Sequence, residues 1–314
     1  MKNLLLLSAA ALLLAGAQCS SAPAEAPAKA AALPDGFGAY WFQGKAELTS
    51  YDLEQGRYGE LRKGEAVLVF VTEDLSRRKQ VKLDDPAKAP PGDKVPVLKL
   101  NTSKKFLTGV YPYSIMTSSY TPLNQATDPR SLKVSTSVQE WCGHIFTQLN
   151  LRGKKYAVSQ KSYFESEGDT ETTIDATLLE DELWNRIRLN PAGLPRGKVQ
   201  LVPGTVYSRL QHQPLQPVPA ELSLSDAPVG RFGSMPASAY RIAYSGTEHE
   251  VVIYFQKAFP HVILGWEETY LDRIAAQPIR LTTRATRRKT IQLDYWRTHA
   301  NADLRWRDSL GLGR

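Results

Sequence analysis

Apolar and polar positions alternate along much of the chain, the period-two pattern of strands with one face buried. Ser131-Leu132-Lys133-Val134-Ser135-Thr136-Ser137-Val138 shows it plainly. The same pattern, with β-branched and aromatic enrichment, predicts strands over 40–53, 65–73, 95–100, 106–120, 144–151 and 156–164. Further strands are expected at 199–202, 240–244, 250–255, 279–285 and 290–296. Arg152-Gly153-Lys154-Lys155 reads as a hairpin turn, and Arg62-Lys63-Gly64 as a turn between 58–61 and 66–71. Strands so close in sequence favour antiparallel meanders over parallel crossover units.

One segment changes period. Leu178, Leu179, Leu183 and Ile187 share a helical face, Asp175 stands where a cap is wanted, and Asn190-Pro191 followed by Gly193 stops the run. Glu180, Asp181 and Glu182 near its start and Arg186 and Arg188 near its end suit the helix dipole and allow a Glu182–Arg186 pair. The fold class expected is therefore mainly β: a curved antiparallel sheet or half-barrel with one packed amphipathic helix at about 175–189. The charges on that helix read as those of an ordinary surface helix. Proline-rich breaks fall at 82–94 and 213–236, the second being expected to connect two parts of the sheet rather than hold a central strand. No repeat of 20–50 residues is visible, which argues against propellers and solenoids.

The first residues are of another kind. Met1-Lys2-Asn3, an apolar run from Leu4 to Leu14 and the small residues Ala15-Gly16-Ala17 form a secretory signal peptide, too short to span a bilayer. Two processing routes are open. Cleavage after Ala17 releases a soluble chain starting at Gln18; cleavage before Cys19 attaches lipid to its sulfur, with Gln18 a departure from the preferred small residue. The lipid-anchored reading is favoured, because Cys19 closely follows the apolar run and precedes a stretch of Ala, Pro and Ser with nothing to bury. The organisation expected is a signal peptide at 1–18, a tether at 19–36, a β-rich body at 37–296 and a basic tail at 297–314. A division of the body into halves at 37–128 and 131–296 is left open. The location expected is outside the cytoplasm, the outer membrane if lipid is attached and the periplasm or medium otherwise. With Cys19 and Cys142 the only cysteines, no disulfide framework supports the fold. An apolar content of 42% is ample for a core.

Charge sharpens the picture at one end. Residues 273–314 carry ten Lys or Arg against three Asp. Arg280, Arg284, Arg287, Arg288, Lys289 and Arg297 form a candidate patch for an anionic partner such as lipid headgroups or envelope glycan, with nucleic acid disfavoured by export. The plainer reading is that Arg280 and Arg284 line the wet face of the last hairpin.

Catalytic motifs are sparse. His249-Glu250-Val251-Val252-Ile253 lacks the second histidine of a zinc-protease helix and lies in a strand pattern. No nucleophile elbow, phosphate-binding glycine loop or dinucleotide fingerprint is present, and no motif calls for a metal or a cofactor. Glu165, Glu167, Asp169 and Glu171 alternate as on a solvated hairpin edge, Gly168 being misplaced for a calcium loop. Gln139-Glu140-Trp141-Cys142-Gly143-His144 is the most unusual string. Within a strand, Cys142 and His144 would share a face and form a thiolate–imidazolium pair, and Gly143 would let a substrate approach. Against this, cysteine is commonly a small buried hydrophobe and a strand glycine often marks a bulge.

This string, with Trp41-Phe42-Gln43-Gly44, Tyr58-Gly59-Glu60, Val69-Phe70-Val71-Thr72-Glu73, Thr108-Gly109-Val110-Tyr111-Pro112-Tyr113-Ser114, Phe259-Pro260 and Gly265-Trp266-Glu267-Glu268, resembles a family of Bacteroidota envelope proteins. Some members carry the label septum formation inhibitor Maf. True Maf proteins are cytoplasmic nucleotide pyrophosphatases with a Ser-x-Ser-Pro-Arg-Arg motif near the start, and that motif is absent here. The resemblance implies an envelope protein and transfers no catalytic residue. Two functions of different class follow as expectations: a non-enzymatic envelope binding or structural protein holding a lipid or glycan, or an envelope hydrolase or transferase using Cys142 and His144.

Overall fold

The computed structural model describes residues 33–313. The segments expected to be a signal peptide and most of the tether, with Cys19, lie outside them. A helical turn, α1 (Phe37–Trp41), precedes eight strands: β1 (Ala46–Arg57), β2 (Glu60–Ser76), β3 (Lys94–Thr108), β4 (Tyr111–Pro122), β5 (Lys133–Glu140), β6 (Gly143–Arg152), β7 (Lys155–Lys161) and β8 (Thr170–Asp175). Then come β9 (Leu178–Leu179), α2 (Glu180–Leu189), β10 (Gly197–Val202), α3 (Thr205–Leu210) and β11 (Val218–Asp226). The chain ends with β12 (Ala237–Tyr244), β13 (Glu250–Gln256), β14 (Ile263–Asp272), β15 (Ile279–Leu293) and α4 (Arg305–Ser309).

All strands join one curved, unclosed sheet in the order 8-7-6-5-4-3-2-1-15-14-13-12-11-10-9. Every pairing is antiparallel except β9 with β10. The pairing of β1 with β15 (Ala46 opposite Leu293) joins the two meanders into a continuous sheet. The outermost strands, β8 and β9, are consecutive in the chain. Asp175 and Leu178 are three residues apart and so within about 11 Å, which forces the sheet to curl until its edges approach. Val134, Leu149, Tyr156 and Val158 of one edge pack against Leu179 and Val202 of the other.

The expected helix is present and lies inside the curl. It starts at Glu180, not near Asp175, which instead ends β8; Leu179 precedes it without a side-chain cap. The pair Glu182–Arg186 forms at 2.9 Å. The surface-helix expectation fails because the sheet wraps the polar face as well: Glu180, Glu182, Asn185 and Arg188 are all buried. Each has at least one partner, although Glu182 Oε1 and Asn185 Oδ1 are buried without a hydrogen bond. Asn185 donates to Leu98 O, Ser119 Oγ and Thr121 Oγ1, and Ser131 N donates to Glu182 at 2.7 Å. Arg188 grips Glu47 through two 2.6 Å bonds and lies over the rings of Phe70 and Trp41.

Three local expectations are corrected. The β1–β2 turn falls at Tyr58-Gly59, whose φ of 55° and 77° suit a primed hairpin turn; Arg62-Lys63-Gly64 lies within β2. Gly64 is needed there for contact, since a Cβ would sit 2.2 Å from Lys105 O. The strand expected from residue 40 begins at Ala46, because Phe37 and Trp41 form a helical turn that buries both rings. The stretch 213–236 holds β11, tolerated because Pro219 is only its second residue. The basic segment after residue 296 folds back, and Leu310, Leu312 and Trp306 cover Leu48, Val71 and Leu293 on the outer face.

Candidate functional site

The turns β1–β2, β3–β4 and β5–β6 and the loop 162–169 after β7 all fall at one end of the sheet, its rim. Helix α3 is tucked beneath it on the concave side. Thr205 Oγ1 meets Thr136 Oγ1 of β5 at 2.6 Å, and Arg57, the last residue of β1, donates to Leu210 O at 2.5 Å. Between α3 and the wall lies a cavity of about 250 Å³. Thr147 of β6, Gln160 of β7, Glu167 of the loop, Ser208 and Arg209 of α3, and His212 line it.

Its ionic groups are already matched. Glu167 accepts from Arg209 at 3.0 Å, from His212 Nδ1 at 2.5 Å and from Ser162 Oγ at 2.6 Å. Burial pushes the Glu167 carboxyl up, but the hydrogen bonds from Ser162 and His212 and the Arg209 charge outweigh it, leaving the group below the usual carboxylate range. Arg209 also lies over the Phe164 ring at 4.7 Å. Other polar groups here are unmatched: among the described residues, Ser208 Oγ, Arg209 Nε and Gln211 Nε2 are buried without a hydrogen-bond partner. Two such atoms on α3, both on residues lining the cavity, with a third on Gln211 just after it, are where a polar ligand gains most.

A second, smaller cavity of about 50 Å³ lies deeper, between α2 and the sheet. Glu180, Asp181, Glu268 and Lys104 line it with Trp184, Tyr207 and Trp266. Its acids have partners. Tyr244 Oη donates to Glu180 at 2.5 Å, Thr205 N to Asp181 at 3.0 Å, and His249 Nε2 meets Glu268 at 3.3 Å. The His249 ring is stacked between those of Tyr207 and Tyr244, with centroids 3.5 and 4.4 Å away. Burial, reinforced by the Glu268 charge, pushes Glu180 up to about 8, and burial raises Asp181 to about 6. Burial also raises Glu268, but the His249 hydrogen bond and the Lys104 charge outweigh it and hold that group low. Proton sharing can occur there, yet about 50 Å³ has room for a few ordered waters and not for a sugar-sized ligand.

The residues singled out from sequence fall elsewhere. Cys142 sits exposed in the β5–β6 turn, not in a strand. Glu140, whose carboxylate accepts from Cys142 N at 2.7 Å, pushes the thiol up by hydrogen bond and charge, the reverse of activation. His144 alternates with buried Ile145 and so faces the convex side, away from both cavities. The space over Gly143 is taken by Tyr163, to which a Cβ would come within 2.5 Å. The basic candidates are strung along β15 rather than gathered. Arg280 pairs with Glu248, Arg284 with Glu267 and Arg288 with Asp52. Arg287 and Lys289 stand opposite Tyr51 and Ser50, and Arg297 lies beyond the strand in a 3-10 turn. Cys19 lies outside the described residues. Sequence reading missed Thr147, Gln160, Ser208, Arg209 and His212; its one signal nearby was the acidic alternation containing Glu167.

No protein-family profile, curated protein or solved structure matches this chain. Among the described residues no helix is long and apolar enough to cross a membrane.

Proposed function

We propose that the protein is a non-enzymatic binding protein of the cell envelope, tethered through a lipid on Cys19, which holds a small, hydroxyl-rich ligand of the glycan class in the rim cavity. The observation that carries this reading is the unpartnered Ser208 Oγ and Arg209 Nε at a cavity of about 250 Å³ lined by Thr147 and Gln160. Hydroxyl groups can both donate and accept, so a sugar ring satisfies such a mixed set, as a lipid chain does not. The match between Arg209 and Glu167 leaves little net charge to attract a phosphate or carboxylate. A lipid reading would need an apolar void, and α2, Trp184 and Trp266 fill the concave face where one would lie. The hydrolase or transferase reading draws no support from an exposed thiol held protonated by Glu140.

The test is titration of the purified chain with mono- to hexasaccharides of glucose, galactose, mannose and N-acetylglucosamine, alongside Ser208→Ala and Thr147→Val. Binding by the wild type that weakens about tenfold or more in both variants supports the reading. Binding that neither variant changes, or no binding at all, contradicts it.

A further inference from the structure

Two groups of aromatic side chains line the rim and approach each other at the β5–β6 turn. His212 and Arg209, at the cavity, both pack on Phe164, whose ring lies 5.4 Å from that of Tyr163. Tyr163 covers Gly143, at the foot of the turn carrying Trp141. The Trp141 ring lies 6.4 Å from Tyr111, Tyr111 lies 6.0 Å from Tyr113, and Tyr113 lies 6.5 Å from Tyr58. Tyr58 and Tyr113 share a 2.7 Å hydroxyl bond and both accept from Arg57, which ties the second group to α3 through Leu210 O. Both groups thus reach the helix that forms the cavity floor.

Their exposure is uneven in a telling way. Tyr113 and Phe106 are buried and stacked at 5.0 Å, a fixed base. Trp141 is 70% exposed and Tyr163 62%. Large exposed rings are costly to leave in water, and ones fixed from below present flat apolar faces at little entropic cost on binding. The cavity has room for about one ring of a sugar chain, and its mouth is formed by exposed His212, Gln213 and Pro214 beside half-buried Phe164. A longer ligand that leaves past Phe164 crosses the neighbouring aromatic faces. The hydroxyls of half-buried Tyr111 and exposed Tyr163 give the strip the mixed apolar and hydrogen-bonding character of a pyranose face, while the Arg57 guanidinium is buried beneath it. A bilayer interior would accept no such hydroxyl without cost.

We infer that Trp141, Tyr111 and Tyr163 form a stacking platform that extends the rim cavity into a cleft for an oligosaccharide, each exposed ring facing the C–H side of a sugar unit. This rests on the glycan reading of the cavity. It assigns Trp141 and Gly143 to ligand binding rather than to thiol chemistry, with Gly143 acting only by making room for the Tyr163 ring.

The experiment compares affinity against chain length, from mono- to hexasaccharide, for the wild type, Trp141→Ala, Gly143→Ala and Val110→Ala. Val110 is 77% exposed at the β3–β4 turn of the same rim but belongs to no ring contact. The expected result is affinity that rises with length and that Trp141→Ala lowers by about tenfold for the longer chains while sparing the monosaccharide. Gly143→Ala should do the same by displacing Tyr163, and Val110→Ala should change nothing. Affinity independent of length, or unchanged in Trp141→Ala, overturns the platform while the cavity reading stands. Failure of every saccharide to bind the folded wild type overturns both. Co-sedimentation with vesicles of phosphatidylethanolamine and phosphatidylglycerol that Trp141→Ala and Val110→Ala abolish alike, without length-dependent saccharide binding, makes the rim a membrane contact and overturns the platform.

Discussion

The two cavities of the concave face are built from similar side chains and differ in how those side chains are satisfied. In the deeper one, Glu180, Asp181 and Glu268 answer to Tyr244, the Thr205 amide and His249, Trp266 Nε1 alone of its lining being buried without a partner, and the helix running on from it ends in the Arg188–Glu47 pair. At the rim the ion pair Arg209–Glu167 is made, but Ser208 Oγ, Arg209 Nε and Gln211 Nε2 are not. Paired charges fix α2 in place, although Glu182 Oε1, Asn185 Oδ1 and Arg186 Nε stay without a hydrogen bond in its packed surroundings; polar groups left over at a cavity are open to a ligand. That difference, together with the fivefold difference in volume, separates scaffold from site.

The comparison breaks most readily at Glu47. Glu47→Ala strands the Arg188 guanidinium, which is fully buried against Phe70 and Trp41, and should cost about 3–5 kcal/mol in urea unfolding. Replacing both partners with apolar residues should recover much of that loss. If the single variant costs under ~1 kcal/mol, the interior network does not hold the helix.

A pH series sharpens the same contrast. Glu180 and Asp181 are raised, so the folded chain holds protons that the unfolded chain has released above the ordinary carboxyl range. Their stabilising share is complete below about pH 4 and is lost as pH rises through about 6 and 8. The thermal midpoint should therefore fall between pH 5 and pH 8. Each tenfold difference in proton affinity between the folded and unfolded chain corresponds to about 1.4 kcal/mol, or roughly 2–4 °C. Glu180→Gln should flatten the slope and raise the midpoint at pH 8. Glu167, lowered, has the opposite sign: its contribution is present at neutral pH and fades as the solution becomes acid.

Smaller effects belong to the rim. Ser208→Ala removes a buried hydroxyl with no partner, so stability should stay level or rise by up to ~1 kcal/mol even as saccharide affinity falls. A loss of stability would mean the hydroxyl serves the fold. Val110→Ser, at an exposed turn tip, should move stability by no more than ~0.5 kcal/mol.

How much of this was legible in the chain follows from what local pattern can carry. Alternation in 131–138 marked β5 with its buried face, and Gly153 marked the β6–β7 turn, because both are local properties. The Glu182–Arg186 pair was legible for the same reason. The burial of α2 was not: its acidic first turn looks like a solvated face, and only the curl of fifteen strands encloses it. The closing pairing of β1 with β15 joins residues more than two hundred apart, beyond any periodicity. The rim cavity draws Thr147, Gln160, Glu167, Ser208 and His212 from four separate segments, none unusual alone. The one string that was unusual, 139–144, borders the site through Trp141 and Gly143 rather than through its thiol.

The most direct test is native mass spectrometry of the protein purified from the envelope of the cells that make it, wild type beside Ser208→Ala. The predicted result is lipid mass on Cys19 together with a non-covalent saccharide mass on the wild type, the saccharide depleted from the variant. A wild-type chain carrying a non-covalent lipid, or no adduct at all, would contradict the account.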